Sequence, residues 1–181
     1  VVVHSTSEGG ETIAETKGIS VAIMGVSVGV SLSTATAKPD IDTYIGDNSS
    51  ITTSGGKVTV ESIHNSNSKA TKAEAVASGG GILSGNGGES AATAAGEVDA
   101  YIGSNVTVSA RGRVSVKASG IDDAQAVAES INIGGLAVGV LYADADAHGY
   151  SQAEVKNGVT INPSGGMTVE AFGTNRAYAK Y

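Results

Sequence analysis

The 181-residue chain has no cysteine and no tryptophan, one phenylalanine and two prolines. Without cysteine there is no disulfide framework and no thiolate chemistry. Aromatic residues make up only 4%, so large side chains cannot fill a thick core. Many small residues must be buried in thin, regular layers instead. No apolar run approaches the ~20 residues of a membrane span, and no signal peptide is visible. Basic residues are also scarce, 11 Lys and Arg against 18 Asp and Glu, for a net charge of −7. The basic stripe expected of a nucleic-acid binder is missing. An acidic surface fits a secreted or cell-surface protein kept soluble by self-repulsion. The sequence opens VVVHSTSEGG, without methionine and already inside a strand-like run, as expected of a processed segment.

What the chain has in quantity is glycine, 26 residues, with alanine, serine, threonine, valine and isoleucine. Mean hydropathy of +0.06 with this many β-branched residues argues for folding rather than disorder. The decisive feature is internal repetition. IDTYIGDNSSITTSGGKVTVES (41–62) aligns with VDAYIGSNVTVSARGRVSVKA (98–118) and with QAEVKNGVTINPSGGMTVEAF (152–172). Ile45, Ile102 and Val155 form one column; Val60, Val116 and Val169 form another. Ala35, Ala92 and Ala145, and then Ala37, Ala94 and Ala147, form two more. The spacings predict about three repeats of 53–57 residues (roughly 1–57, 58–113 and 114–166), with a partial fourth at 167–181.

Within each unit the pattern is that of strands. VTVES, VTVSA, VSVKA and MTVEA alternate apolar and polar residues with period two, and STATA and ADADA do so with alanine on one face. Gly-Gly, Asn-Gly and Pro-Ser-Gly-Gly punctuate them as turns. Strands recurring at a long fixed period, with columns of like residues, predict an all-β fold, a parallel β-solenoid (β-helix) in a single segment spanning 1–181. A unit of this size is either two coils or one large coil carrying a long hairpin, with Gly134-Gly135 as a candidate hairpin turn. Valine-rich strands are expected to line the wider part of the cross-section. Alanine and glycine columns are expected to line a narrow part, where sheets approach closer than ~10 Å.

Units of the form V-x-V-x-A, then A-x-A-x-A, then AYIGSN-x-T-V-x-A-x-G resemble repeats of large bacterial surface adhesins, of the filamentous-haemagglutinin and leukotoxin-like filamentous type. The resemblance spans nearly the whole chain and rests on low-complexity motifs. It implies an extracellular or cell-surface stalk of stacked β-coils without catalysis. Its partners would be further copies of the same coil, and a host or neighbouring-cell surface or matrix. The rival reading is a carbohydrate-binding or carbohydrate-active β-helix protein, which calls for acids and aromatics from several coils on one exposed sheet.

Two stretches could carry chemistry. In YADADAHGY, Asp144, Asp146 and His148 fall on one strand face at ~7 Å steps, a pattern able to hold a divalent cation or to transfer protons. In KPDIDTYIGDN, Asp40, Asp42 and Asp47 cluster near a turn and are the other candidate calcium ligands, without EF-hand spacing. The plain reading of both is a solvated strand face. For Asp144 and Asp146 the aligned residues are Thr34 and Thr36 in the first unit, and Thr93 and Ala95 in the second. No cofactor is expected. Tyr44, Gly46 and Asn48 align with Tyr101, Gly103 and Asn105 as a repeated corner of the coil, its asparagines suited to turns. The Asp-x-Tyr pairs form a surface ladder able to meet a neighbour. His4, His64 and His148 share no column.

Overall fold

A computed structural model describes residues 1–22 and 25–181. Among the described residues thirteen strands follow one another: β1 (Val2–Ser7), β2 (Thr12–Val21), β3 (Val26–Ala37), β4 (Asp40–Ile45), β5 (Ser50–Thr53), β6 (Val58–His64), β7 (Thr71–Ala94), β8 (Glu97–Ile102), β9 (Thr107–Ala110), β10 (Val114–Ala147), β11 (Tyr150–Val155), β12 (Thr160–Pro163) and β13 (Met167–Lys180). The fold is all-β, a curled parallel sheet flanked by two smaller ones, with no helix among the described residues. The large sheet runs β1-β6-β10-β7-β2, with β13 added to β10 and β3 to β7. The small sheets are β4-β8-β11 and β5-β9-β12.

All the ladders are parallel among the described residues. Their registers match the aligned columns: Ile45 stands beside Ile102 and Ile102 beside Val155. Val60 stands beside Val116, and Val116 beside Val169. Ala35, Ala92 and Ala145 likewise lie in one row. One alignment is corrected. Asp144 and Asp146 pair with Ala91 and Thr93, not with Thr93 and Ala95. The period-two alternation of the alanine strands tolerates a slip of two residues without turning a side chain over.

Two cores result. In the first, the prism, the three sheets contribute to one cluster of β-branched residues: Val58, Val60, Val98, Ile102, Val106, Val108, Val114 and Val116 are all fully buried. Each contributes about 1.5–3 kcal/mol by leaving water. In the second, β2, β7 and β10 run on past the prism as the outgoing arms of a flat blade. The chain then folds back, and β3 with the later halves of β7 and β10 forms the return arms. Ala73, Ala92, Ala94, Ala124 and Ala126 are buried between the arms.

The fold-back is not a hydrogen-bonded hairpin, because the arms meet through side chains and each ladder runs to a parallel neighbouring strand. Across the gap, Ser31 Oγ donates to Thr16 O at 2.9 Å and Ser33 Oγ to Ala14 O at 2.7 Å. A serine hydroxyl thus reaches the opposite backbone directly, and the layer is one small side chain deep. A second correction concerns valine. Val26, Val28 and Val30 of β3, and Val138 and Val140 of β10, lie 65–72% exposed on the outside of the blade.

Candidate functional site

The small sheet β4-β8-β11 carries the most chemically varied surface. Its inward residues alternate with outward ones, Val98, Ala100 and Ile102 being fully buried in β8. Its outward residues therefore form rows along the stack: Asp40–Glu97–Tyr150, Asp42–Asp99–Gln152 and Tyr44–Tyr101–Glu154. Parallel in-register pairing brings like charges side by side about 4.8 Å apart. The Asp99 carboxyl is consequently pushed above the usual carboxylate range, first by desolvation and then by Asp42, Asp40, Glu97 and Glu154. Its Oδ1 is buried without a hydrogen-bond partner. Tyr150 donates its hydroxyl to Glu97 Oε2 at 3.1 Å, and Gln152 donates to Glu154 Oε2 at 3.2 Å.

The Tyr44 and Tyr101 rings stack with centroids 5.0 Å apart and planes 5° from parallel, and Lys156 Nζ stands 3.9 Å from the Tyr101 centroid. Desolvation and the acidic neighbours raise the Tyr101 hydroxyl above its usual pKa. Tyr101 is thus held between an aromatic ring and a cation.

The corner that follows is built from the aligned residues. Asn48 (φ 57°) and Asn105 (φ 56°) both adopt the left-handed conformation that asparagine tolerates. The equivalent residue of the next corner is Gly158, at φ 72°. Asp47 Oδ1 accepts from Ser104 N at 2.7 Å, tying adjacent corners together. Gly103 is required by space, since a Cβ there would stand 2.8 Å from Ile45 O; Gly46 meets no such limit.

The candidate calcium ligands do not converge. Asp47 is engaged in the corner, while Asp40 and Asp42 project from β4 in separate rows. Asp144 and Asp146 are exposed on the return arm of β10 beside Ala91 and Thr93, and Asp146 pairs with His148 Nδ1 at 2.9 Å. Among the described residues no three Asp, Glu or His side chains form a metal-binding group.

One polar cluster escaped the sequence reading. Where blade meets prism, His64 and Asp122 are both buried, 7% and 4% exposed. They line a cavity of about 200 Å³ with Asn65, Lys69 and Pro39. Asp122 Oδ1 accepts from Gly96 N at 2.7 Å. His64 Nδ1 has no partner, and desolvation lowers the ring's pKa despite the opposing pull of Asp122. Asn175, in the row of Asp122, makes the matching link one layer on, Nδ2 donating to Gly149 O at 2.9 Å. The recurrence marks Asp122 as a strut of the junction. No motif announces it, because the two struts are different residue types with opposite hydrogen-bonding roles.

No helix of the described residues is long and apolar enough to cross a membrane. No protein-family model, curated protein or solved structure matches the chain.

Proposed function

We propose that the chain is a structural segment of a secreted or cell-surface bacterial filament or adhesin stalk. In this reading it is a parallel β-solenoid of about three 53–57-residue repeats, stacked into a stiff rod and without catalysis. One observation carries it. At both ends of the stack, all the sheets finish on parallel strands with an open edge: β1 to β5 on one side, β11 to β13 and the return arm of β10 on the other. The core is open there too. Val3 and Ile51 at one end, and Val155, Val159 and Ile161 at the other, are only partly buried against it. An open edge with an uncovered core beside it is a template for another identical layer. Its backbone hydrogen bonds would lie along the rod axis and carry load. The partner is then more of the same coil, and the adhesive target a host or neighbouring-cell surface or matrix.

The carbohydrate reading draws less support from the rows of β4-β8-β11. A sugar-stacking platform offers ring faces, whereas Tyr101 has its faces covered by Tyr44 and Lys156. Negative-stain micrographs of the chain within its flanking sequence test the proposal. Uniform fibres with a regular axial repeat are expected; compact monomers that cleave a polysaccharide would overturn it.

A further inference from the structure

The outward face of the return arms is apolar along most of its length, and its relief is informative. Register puts four rows on it: Val26–Leu83–Leu136, Val28–Gly85–Val138, Val30–Gly87–Val140 and Leu32–Glu89–Tyr142. The nine large apolar residues in those rows are each more than two fifths exposed, Val28 at 72% and Val140 at 71%. Together they leave on the order of 900 Å² of apolar surface, where the largest patch on a typical monomer is about 300–600 Å². Glu89 forms a polar rim at the end nearer the prism.

The two outer strands raise ridges of valine, about 10 Å apart at two strand spacings. Between them the middle strand offers Gly85 and Gly87, with Leu83 and Glu89 at either end, so a short trough two rows long is sunk in the face. The chain's own packing does not demand glycine there. A Cβ at Gly87 would meet Val140 O at 3.7 Å and Val30 Cγ2 at 3.8 Å, and one at Gly85 would meet Val28 Cγ2 at 3.9 Å, all ordinary contacts. Neither glycine has a positive φ. Glycine inside a strand costs conformational entropy and contributes no packing, so these two keep a floor open with no internal reason to do so.

We propose that this face is where a second copy of the chain packs, sheet against sheet, a valine ridge of each copy seated on the glycine floor of the other. Offset by one strand, the relation is mutual, as a two-fold interface requires. The offset covers five of the nine residues on each copy, roughly 1,000 Å² in total, about the least that a specific interface needs. The contact is lateral, across the rod rather than along it. It stands on the blade face alone and does not depend on growth at the strand edges.

Sedimentation velocity of the 181-residue chain, from about 1 to 100 µM, tests it, with far-UV circular dichroism confirming the fold of each variant. The wild type is expected to shift from monomer to dimer with concentration. V30E/V140E places carboxylates on both ridges and is expected to weaken the dimer at least about tenfold. G87V adds apolar area but fills the seat, and should also weaken it; G85A/G87A is the gentler substitute if valine disturbs the strand. Dimerisation strengthened or unchanged by G87V would overturn the seating. Dimerisation unchanged in V30E/V140E would place the contact elsewhere, at the strand edges or on the outgoing-arm face of Ile19, Val21 and Ile133, and overturn the proposal. A wild type that stays monomeric would overturn it too, and if it then co-floats with phosphatidylcholine vesicles the face belongs to lipid.

Discussion

The prism and the blade are made by one chain under one hydrogen-bonding rule, yet their insides are opposites. In the prism, valine and isoleucine point inward from three sheets and are fully buried in its middle, from Val58 to Val116. In the blade, alanine, serine and glycine point inward, and valine is left outside at 65–72% exposure. Three sheets set at angles around an axis leave a space that only branched side chains fill. Two sheets laid flat on each other leave no room for them, and close approach wins over hydrophobic burial. Stability in the prism comes from volume, and in the blade from the fit of small groups and serine bridges.

That contrast predicts opposite sensitivities. Removing volume from the prism should do most harm: Val116→Ala is expected to cost about 3 kcal/mol, from lost transfer energy and the cavity left behind, read as a lower urea midpoint at unchanged m-value. The same kind of subtraction in the blade should cost far less. There, addition is the injury. Ala126→Leu is expected to cost about 2 kcal/mol by forcing the arms apart, with amide exchange accelerating in the blade and not in the prism. A blade that tolerated Ala126→Leu without loss, or a prism that tolerated Val116→Ala, would break the comparison.

The third effect is smaller and tests the bridges. Ser31→Ala removes the hydroxyl that reaches Thr16 O and should cost about 1 kcal/mol by chemical denaturation. The last concerns the junction of the two regions. Burial depresses the His64 pKa below 6.5 in the fold, so below that pH the unfolded chain binds a proton that the fold resists. Stability is therefore expected to be fully retained above pH 6.5 and to fall as pH drops below it. His64→Gln should flatten that limb of the stability–pH curve; an unchanged limb would assign it to other groups.

The columns of the fold were legible in the sequence because parallel in-register pairing sets like residues side by side. Ile45 and Ile102, or Asn48 and Asn105, resemble one another since the same corner recurs. The facing of the blade was not legible. Period two tells that β3 has two faces, but not which is inside. The expectation that valine goes in holds for Val58 and Val116 and fails for Val28 and Val138, because the gap admits only small residues. The acidic rows of β4 and β8 were visible as Asp42 and Asp99. The raised Asp99 carboxyl depends first on burial, which the sequence does not display, and the clamp on Tyr101 depends on Lys156. His64 and Asp122 were silent, each unlike its counterpart in the other layers.

The 65–70 loop has a consequence for the use of this architecture. β6 stops at His64 and β7 resumes at Thr71, whereas β10 runs through the same place without a break. Asn65 (φ 52°) seals the excursion, its amide holding Lys69 and Ile121 O. Ala73 and Ala126 still share a row afterwards. Extra residues are thus confined to a corner and erased from the register before the next strand begins. A foreign epitope grafted there would be displayed without disturbing its neighbours, and copies grafted in successive layers would sit at molecular intervals of about 4.8 Å, a ruler for presenting ligands at fixed density.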